Sequence, residues 1–201
     1  MTDVPPRRSG RRPGDSGTRT AILDAARESF GASGYAGTTI RGIARTAGVD
    51  PALVHRFFGS KESLFGASLA LPFDPAELIP MILAGGPDGL GERLVRTFLG
   101  IWDATPGQGP MLALLRSAVA DETAAASLRD FLNRALFAPL AETVGADHAG
   151  LRASLVGSQM IGLAVARYVV RLEPLASATP DELAPVFGRT IDAYLNGPLA
   201  A

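Results

Sequence analysis

The sequence predicts an all-α fold, and three observations carry that prediction. Apolar residues recur at three- and four-residue steps in one segment after another, the spacing of a helix with one buried face. Helix punctuation brackets these segments: Asp50-Pro51, Ser60, Asp74-Pro75 and Thr179-Pro180-Asp181-Glu182 at starts, Gly48 and Gly197-Pro198 at stops. No segment shows the period-two alternation between hairpin turns that a strand requires.

Residues 1–17, with Arg7, Arg8, Arg11 and Arg12 among Pro, Gly and Ser, have almost nothing to bury and read as a disordered basic arm. Such an arm is either a solvated tail or an extra contact to phosphates or a minor groove. Thr18–Ser33 is the first helix, with Ile22, Ala25, Ala26, Ser29 and Phe30 on one face and Gly34 as its stop. In Gly37–Lys61, Thr38 and Thr39 offer capping hydroxyls and Ile40, Ile43, Ala44 and Ala47 form one helical face. Gly48 can adopt the left-handed exit conformation, and Asp50 with Pro51 opens a second short helix buried through Leu53, Val54, Phe57 and Phe58. The other face of that helix carries Ala52, His55 and Arg56. Two short helices around a glycine turn, the second with a small and polar outer face, is the layout of a helix-turn-helix reader of the major groove. A helical hairpin inside any bundle has the same pattern, so the pattern leaves both readings open.

Ser60 caps a fourth helix through about Leu71, and Asp74-Pro75-Ala76-Glu77 opens another to about Leu83. Leu90–Ala104 follows, then a break at Pro106–Pro110, Met111–Ala120, and Glu122 to about Val144, where Pro139 should kink or split the helix. Asp147 to about Leu172 is the longest apolar helix, with Gly157, Ser158 and Gly162 allowing close approach of a neighbour. Thr179–Glu182 is a capping box that starts a last helix to about Asn196.

Composition narrows the function. The 201 residues suffice for one large or two smaller domains, and the absence of cysteine removes disulfides and thiolate metal sites, which suits the cytoplasm. No apolar stretch follows the arginine-rich start, so no secretory signal is expected. The longest uncharged apolar run, Ala153–Ala166, has 14 residues including Gln159, and no membrane partner is expected. The net charge of −1 hides a split: Met1–Lys61 holds ten Arg/Lys against five Asp/Glu, and the remainder nine against fifteen. A polyanion partner at the N-terminal end alone fits that split.

The segments Gly34–Ala44, Ala47–Val54 and Phe57–Phe65 (Gly-Tyr-Ala-Gly-Thr-Thr-Ile-Arg-Gly-Ile-Ala, Ala-Gly-Val-Asp-Pro-Ala-Leu-Val and Phe-Phe-Gly-Ser-Lys-Glu-Ser-Leu-Phe) together resemble the N-terminal domain of TetR-family transcriptional regulators over about Thr18–Leu71. The resemblance implies residues 18–71 as a helix-turn-helix DNA-binding domain with a linking helix. It implies residues 72–201 as a helical regulatory and dimerisation domain. By position, Thr39 and Arg41 resemble phosphate and groove contacts, Lys61 the lysine that grips the backbone, and Pro51, Ala52, His55 and Arg56 the groove-facing end of the recognition helix. His55 stands where the family usually has tyrosine, and Arg56 where smaller or aromatic residues are common. An arginine there could pair with guanine or hold a phosphate. His55 is expected to contact a phosphate in either protonation state.

Enzyme signatures are poor. His55 and His148 are the only histidines and have no metal-site spacing, Gly59-Ser60-Lys61 lacks the glycine loop of a phosphate cradle, and no Gly-x-Ser-x-Gly occurs. No catalysis, metal or cofactor is expected. Phe98, Trp102, Met111, Leu115, Phe131 and Met160 could line a pocket between helices or could be ordinary core. The resemblance implies that a small apolar or amphipathic effector binds there and weakens operator binding. Paired reading heads about 34–36 Å apart imply a homodimer on a palindromic double-stranded operator. Leu155, Gln159, Gly162, Phe187, Ile191 and Tyr194 of the last two helices are the interface candidates, unless both faces are internal to one subunit. The rival function is a helical small-molecule carrier or sensor that no longer binds a specific operator.

Overall fold

The computed structural model describes residues 14–105, 109–144 and 147–198. The four arm arginines and the centre of the break at Pro106–Pro110 therefore lie outside the described residues. Among those described, every regular element is helical.

Helix α1 (Gly14–Gly37) starts earlier than Thr18, so Gly14–Gly17, assigned to the arm, form its first turn. Once the buried Ile22, Ala26 and Phe30 anchor the helix, each added residue contributes a hydrogen bond without a new nucleation step. Gly34 breaks the helical path with φ 67° and ψ 177°. Helices α2 (Ile40–Ala47), α3 (Pro51–Phe58) and α4 (Lys61–Ser68) are capped by Thr39, Asp50 and Ser60, each side chain accepting a backbone N–H of the first turn. Thr38 does not cap α2. Its buried hydroxyl reaches back to the carbonyls of Ser29 and Gly34, 2.9 and 2.8 Å away, and ties down the frayed end of α1.

Helices α5 (Pro75–Leu83), α6 (Leu90–Ala104) and α7 (Gly109–Ala120) follow. The segment expected as one helix from Glu122 is divided into α8 (Glu122–Leu132), a π-helical stretch at Asn133–Phe137, and α9 (Ala138–Val144). Pro139 supplies the reason. It has no N–H, and its ring would strike the Ala135 carbonyl one turn back. Widening the turn, with the Ala138 N–H on the Asn133 carbonyl, makes room.

Helix α10 (Ala149–Ala164) runs on through a π-helical stretch, Val165–Val169, and α11 (Pro180–Asn196) begins with the expected capping box. Asp147 stays outside α10 and pairs with Arg152 at 2.6 Å. That guanidinium also donates to the carbonyls of Tyr194 and Gly197 at 2.6 and 2.9 Å, supplying the donors that the end of α11 lacks. Ala149–Val169 spans 21 residues with mean hydropathy 1.3, long and apolar enough to cross a bilayer by length and composition, which the run Ala153–Ala166 by itself is not. Its two arginines are bonded inside the protein: Arg167 donates to the carbonyls of Leu175 and Ala178, both at 2.7 Å. The segment is 39% buried, with Val156, Leu163 and Ala164 in the core and Ile161, Val165 and Val169 exposed.

Two apolar bodies result. The first gathers Ile22, Phe30, Tyr35, Ile43, Val54 and Leu64. The second gathers Leu90, Leu99, Trp102, Val156, Leu163 and Ile191, with α6 packed along α11. Helix α8 serves both: Leu128 and Phe131 complete the first core, and Leu132 packs against each of the two.

Candidate functional site

The turn between α2 and α3 is built as its residues require. Gly48 is left-handed at φ 68°, ψ 32°, and the Val49 N–H closes on the Ala44 carbonyl at 3.0 Å. The Asp50 carboxylate accepts the Ala52 N–H at 2.7 Å. Val54 and Phe58 then point into the core, so Ala52, His55 and Arg56 are left on the exposed face of α3, and Thr39 and Arg41 are exposed at the start of α2. Pro51 is half-buried at the first turn. The candidate contacts therefore lie outside the core that orients them.

Geometry narrows what His55 can do. Its Nδ1 lies 3.0 Å from the Gly59 carbonyl, so Nδ1 carries the proton and donates there. The outward Nε2 of a neutral ring then only accepts, and a phosphate oxygen can be gripped only by the doubly protonated ring.

Lys61 is tied into a cluster that spacing in the sequence does not reveal. Its ammonium sits 4.4 Å from the centre of the Tyr35 ring, and the Tyr35 hydroxyl donates to Glu62 at 2.5 Å. Burial, then the Glu62 hydrogen bond, raises the Tyr35 pKa. Burial, then Arg134, lowers that of Lys61. For Glu62, burial pushes upward, but hydrogen bonds from Tyr35, its own N–H and Ser60, with the charge of Lys61, hold the carboxyl below its ordinary value. The Tyr35 N–H also donates to the Ser127 hydroxyl of α8 at 3.0 Å.

Helix α8 reaches further inward. Phe131 is 1% exposed, its ring 5.0 Å from Phe65 and 6.2 Å from Tyr35. The same residue lines a cavity of about 140 Å³ that Phe98, Trp102, Met111, Leu115 and Met160 also line, so the six pocket candidates share one space.

The interface candidates divide. Leu155, Gln159, Phe187 and Tyr194 are half-buried and Gly162 is exposed, with no atom within 4 Å of where a Cβ would stand. Ile191 is fully buried in the subunit and cannot face a partner, because α11 turns it towards α6. Exposed Ile161, Val165, Val169, Val170, Leu172 and Val186, absent from the candidates, form much of the outer apolar surface of α10, α11 and the segment between. Alternation of helical faces marked the region but not which of its stripes pointed outward.

A family profile described as bacterial regulatory proteins, tetR family, matches residues 22–67, and one described as tetracyclin repressor-like, C-terminal domain, matches residues 88–195, more than half the chain. The chain belongs to the TetR family. The chain is also similar to individual proteins. The structure of a TetR-family regulator, SCO0857 from Streptomyces coelicolor A3, is 41% identical over 93% of this chain and 99% of that one, with a TM-score of 0.47. The HTH-type transcriptional regulator BetI of Rhizobium meliloti (strain 1021) is 51% identical over 51 residues, which is 25% of each chain, so the match spans a quarter of that curated relative. NalD, the secondary repressor of the MexAB-OprM multidrug efflux pump in Pseudomonas aeruginosa, is 20% identical over 90% of this chain and 98% of its own, with a TM-score of 0.42.

Proposed function

We propose that the protein is a cytoplasmic, homodimeric, sequence-specific DNA-binding regulator, a repressor that leaves a palindromic operator when a small apolar ligand enters the cavity. The observation that carries this reading is the shared wall: Phe131 closes the cavity on one side and packs on Phe65 and Tyr35 of the reading head on the other. A ligand releases DNA only if it binds better to the conformation whose heads are wrongly spaced. Displacing α8 would do this through Ser127 and Phe131, which hold the end of α1 and the start of α4 where Lys61 stands. The reading helix would present Ala52, His55 and Arg56 to base edges, with Pro51 at its start. Thr39, Arg41 and Lys61 would hold phosphates. The outer apolar surface of α10 and α11 supports pairing across a twofold axis.

A mobility-shift titration on the DNA upstream of the protein's own gene tests the reading. Salt-sensitive, sequence-dependent retardation is expected; its absence would favour a carrier or sensor without an operator. Lys61→Ala should weaken binding to all sequences alike and reduce the salt slope by about one unit, whereas Arg56→Ala should change preference at one base position.

A further inference from the structure

The cavity lacks the means to hold a charge. Among the described residues, its polar side-chain groups are the Thr97 hydroxyl and the Trp102 indole N–H, and no Asp, Glu, Lys, Arg or His lines it. The ionic groups beside Trp102 bond to one another outside the cavity lining, although the Arg167 Nε is buried without a partner among the described residues. Tyr168 stacks on Trp102 with centroids 4.7 Å apart, its hydroxyl donates to Asp103 at 2.8 Å, and Arg167 lies 3.5 Å from the same carboxylate. Neither Asp103 nor Arg167 reaches the cavity wall. An ion entering this space would lose its water and gain no counter-charge, a cost of several kcal/mol per ion in protein interiors. Size limits the occupant too. The volume of about 140 Å³ is close to that of apolar cavities that stay dry and accept a single benzene ring.

We propose that the effector is an uncharged, hydrocarbon-like molecule of about one substituted ring, and that cations and anions of the same shape are excluded. This deepens the regulator reading and rests on it for the consequence at the operator, but occupancy of the cavity can be measured without DNA.

Three probes that share a phenyl ring and a short chain separate the classes: n-propylbenzene, its isostere 2-phenylethylammonium and the slightly larger 3-phenylpropanoate. Each is titrated into the intact protein, following the thermal midpoint and the emission of Trp102, the chain's one tryptophan and part of the cavity wall. Propylbenzene should raise the midpoint and shift the emission, and either charged probe should need on the order of 100-fold higher concentration or more. Thr97→Val, which keeps the side-chain shape, should leave propylbenzene binding unchanged. Leu115→Asp, at a half-buried wall position, should admit 2-phenylethylammonium and still reject 3-phenylpropanoate.

Comparable binding of a charged probe to the unaltered protein, failure of propylbenzene to bind, or its loss in Thr97→Val would each overturn the assignment. Should Leu115→Asp not fold, the three-probe ranking and Thr97→Val still decide it. The operator complex separates the two levels. Propylbenzene that binds without releasing DNA leaves the assignment standing and removes release of the operator by a ligand in this cavity. A charged probe that both binds and releases DNA does the reverse.

Discussion

Tyr35 shows how much one residue can hold in this molecule. It is 1% exposed, and its ring meets Phe65 and Phe131 while carrying the Lys61 ammonium on one face. Its hydroxyl donates to a carboxylate, and hydrogen bonds to charged groups stabilise proteins by about 1.5–3 kcal/mol. Tyr35→Phe should therefore lower unfolding stability by about that amount in a urea titration. The pH dependence has a definite sign. Because the folded state holds Glu62 below its ordinary pKa, its contribution is fully present above about 4.3 and is lost as pH falls through the lower folded value. The stability difference between the unaltered protein and Glu62→Gln should accordingly be largest near neutrality and shrink in acid; a difference that grew in acid would refute it. At Lys61 the direction is opposite. Its lowered pKa means that charge is lost before the ordinary lysine value of about 10.4, so operator affinity at fixed salt should start to fall at lower pH than in Lys61→Arg. Identical alkaline profiles would show that this ammonium does not contact DNA.

Among the elements, the crossing of α6 and α11 is set by two glycines. A Cβ on Gly188 would stand 2.6 Å from the Glu92 backbone nitrogen, and one on Gly91 would stand 2.3 Å from the Gly188 carbonyl oxygen. Backbone cannot yield as a flexible side chain can, so Gly188→Ala should destabilise by at least about 1–3 kcal/mol. Gly100→Ala is the control: it lies on the exposed side of α6 with no neighbour within 4 Å, and should stabilise by about 0.5–1 kcal/mol. Equal thermal midpoints for the two variants would mean that the helices can separate at no cost. Much at this scale was legible beforehand. Asp50, Ser60, Asp74 and Thr179 cap the helices that their positions announced, since a cap bonds within three residues of itself. Pro139 announced a disturbance, but its form as a π-helical stretch depended on how α8 and α9 were held at either end. The early start of α1 carried no such signal.

For the whole molecule, the apolar surface exposed on α10, α11 and the intervening segment is where the proposed twofold assembly would close. Val169 is 49% exposed and Val186 54%. Under the proposed twofold assembly, Val169→Asp with Val186→Asp should dissociate the dimer in sedimentation velocity and reduce operator affinity together. A double variant that stays dimeric would move the interface elsewhere. The second consequence at this scale is connection: α8 forms part of both apolar bodies, so the reading head and the cavity are not mechanically separate.

Local chemistry was enough to establish the all-helical class, most helix ends, the exposed trio Ala52, His55 and Arg56, and the family, because caps, turns and helical periodicity act between residues a few positions apart. The tertiary structure alone decided that Ile191 faces inward, that Arg152 caps α11, that Lys61 rests on Tyr35, and that Phe131 stands between cavity and reading head. Those choices join residues far apart in the sequence, Tyr35 with Lys61 26 positions on and with Phe131 96 positions on, and which apolar stripe meets which is set by packing the chain as a whole.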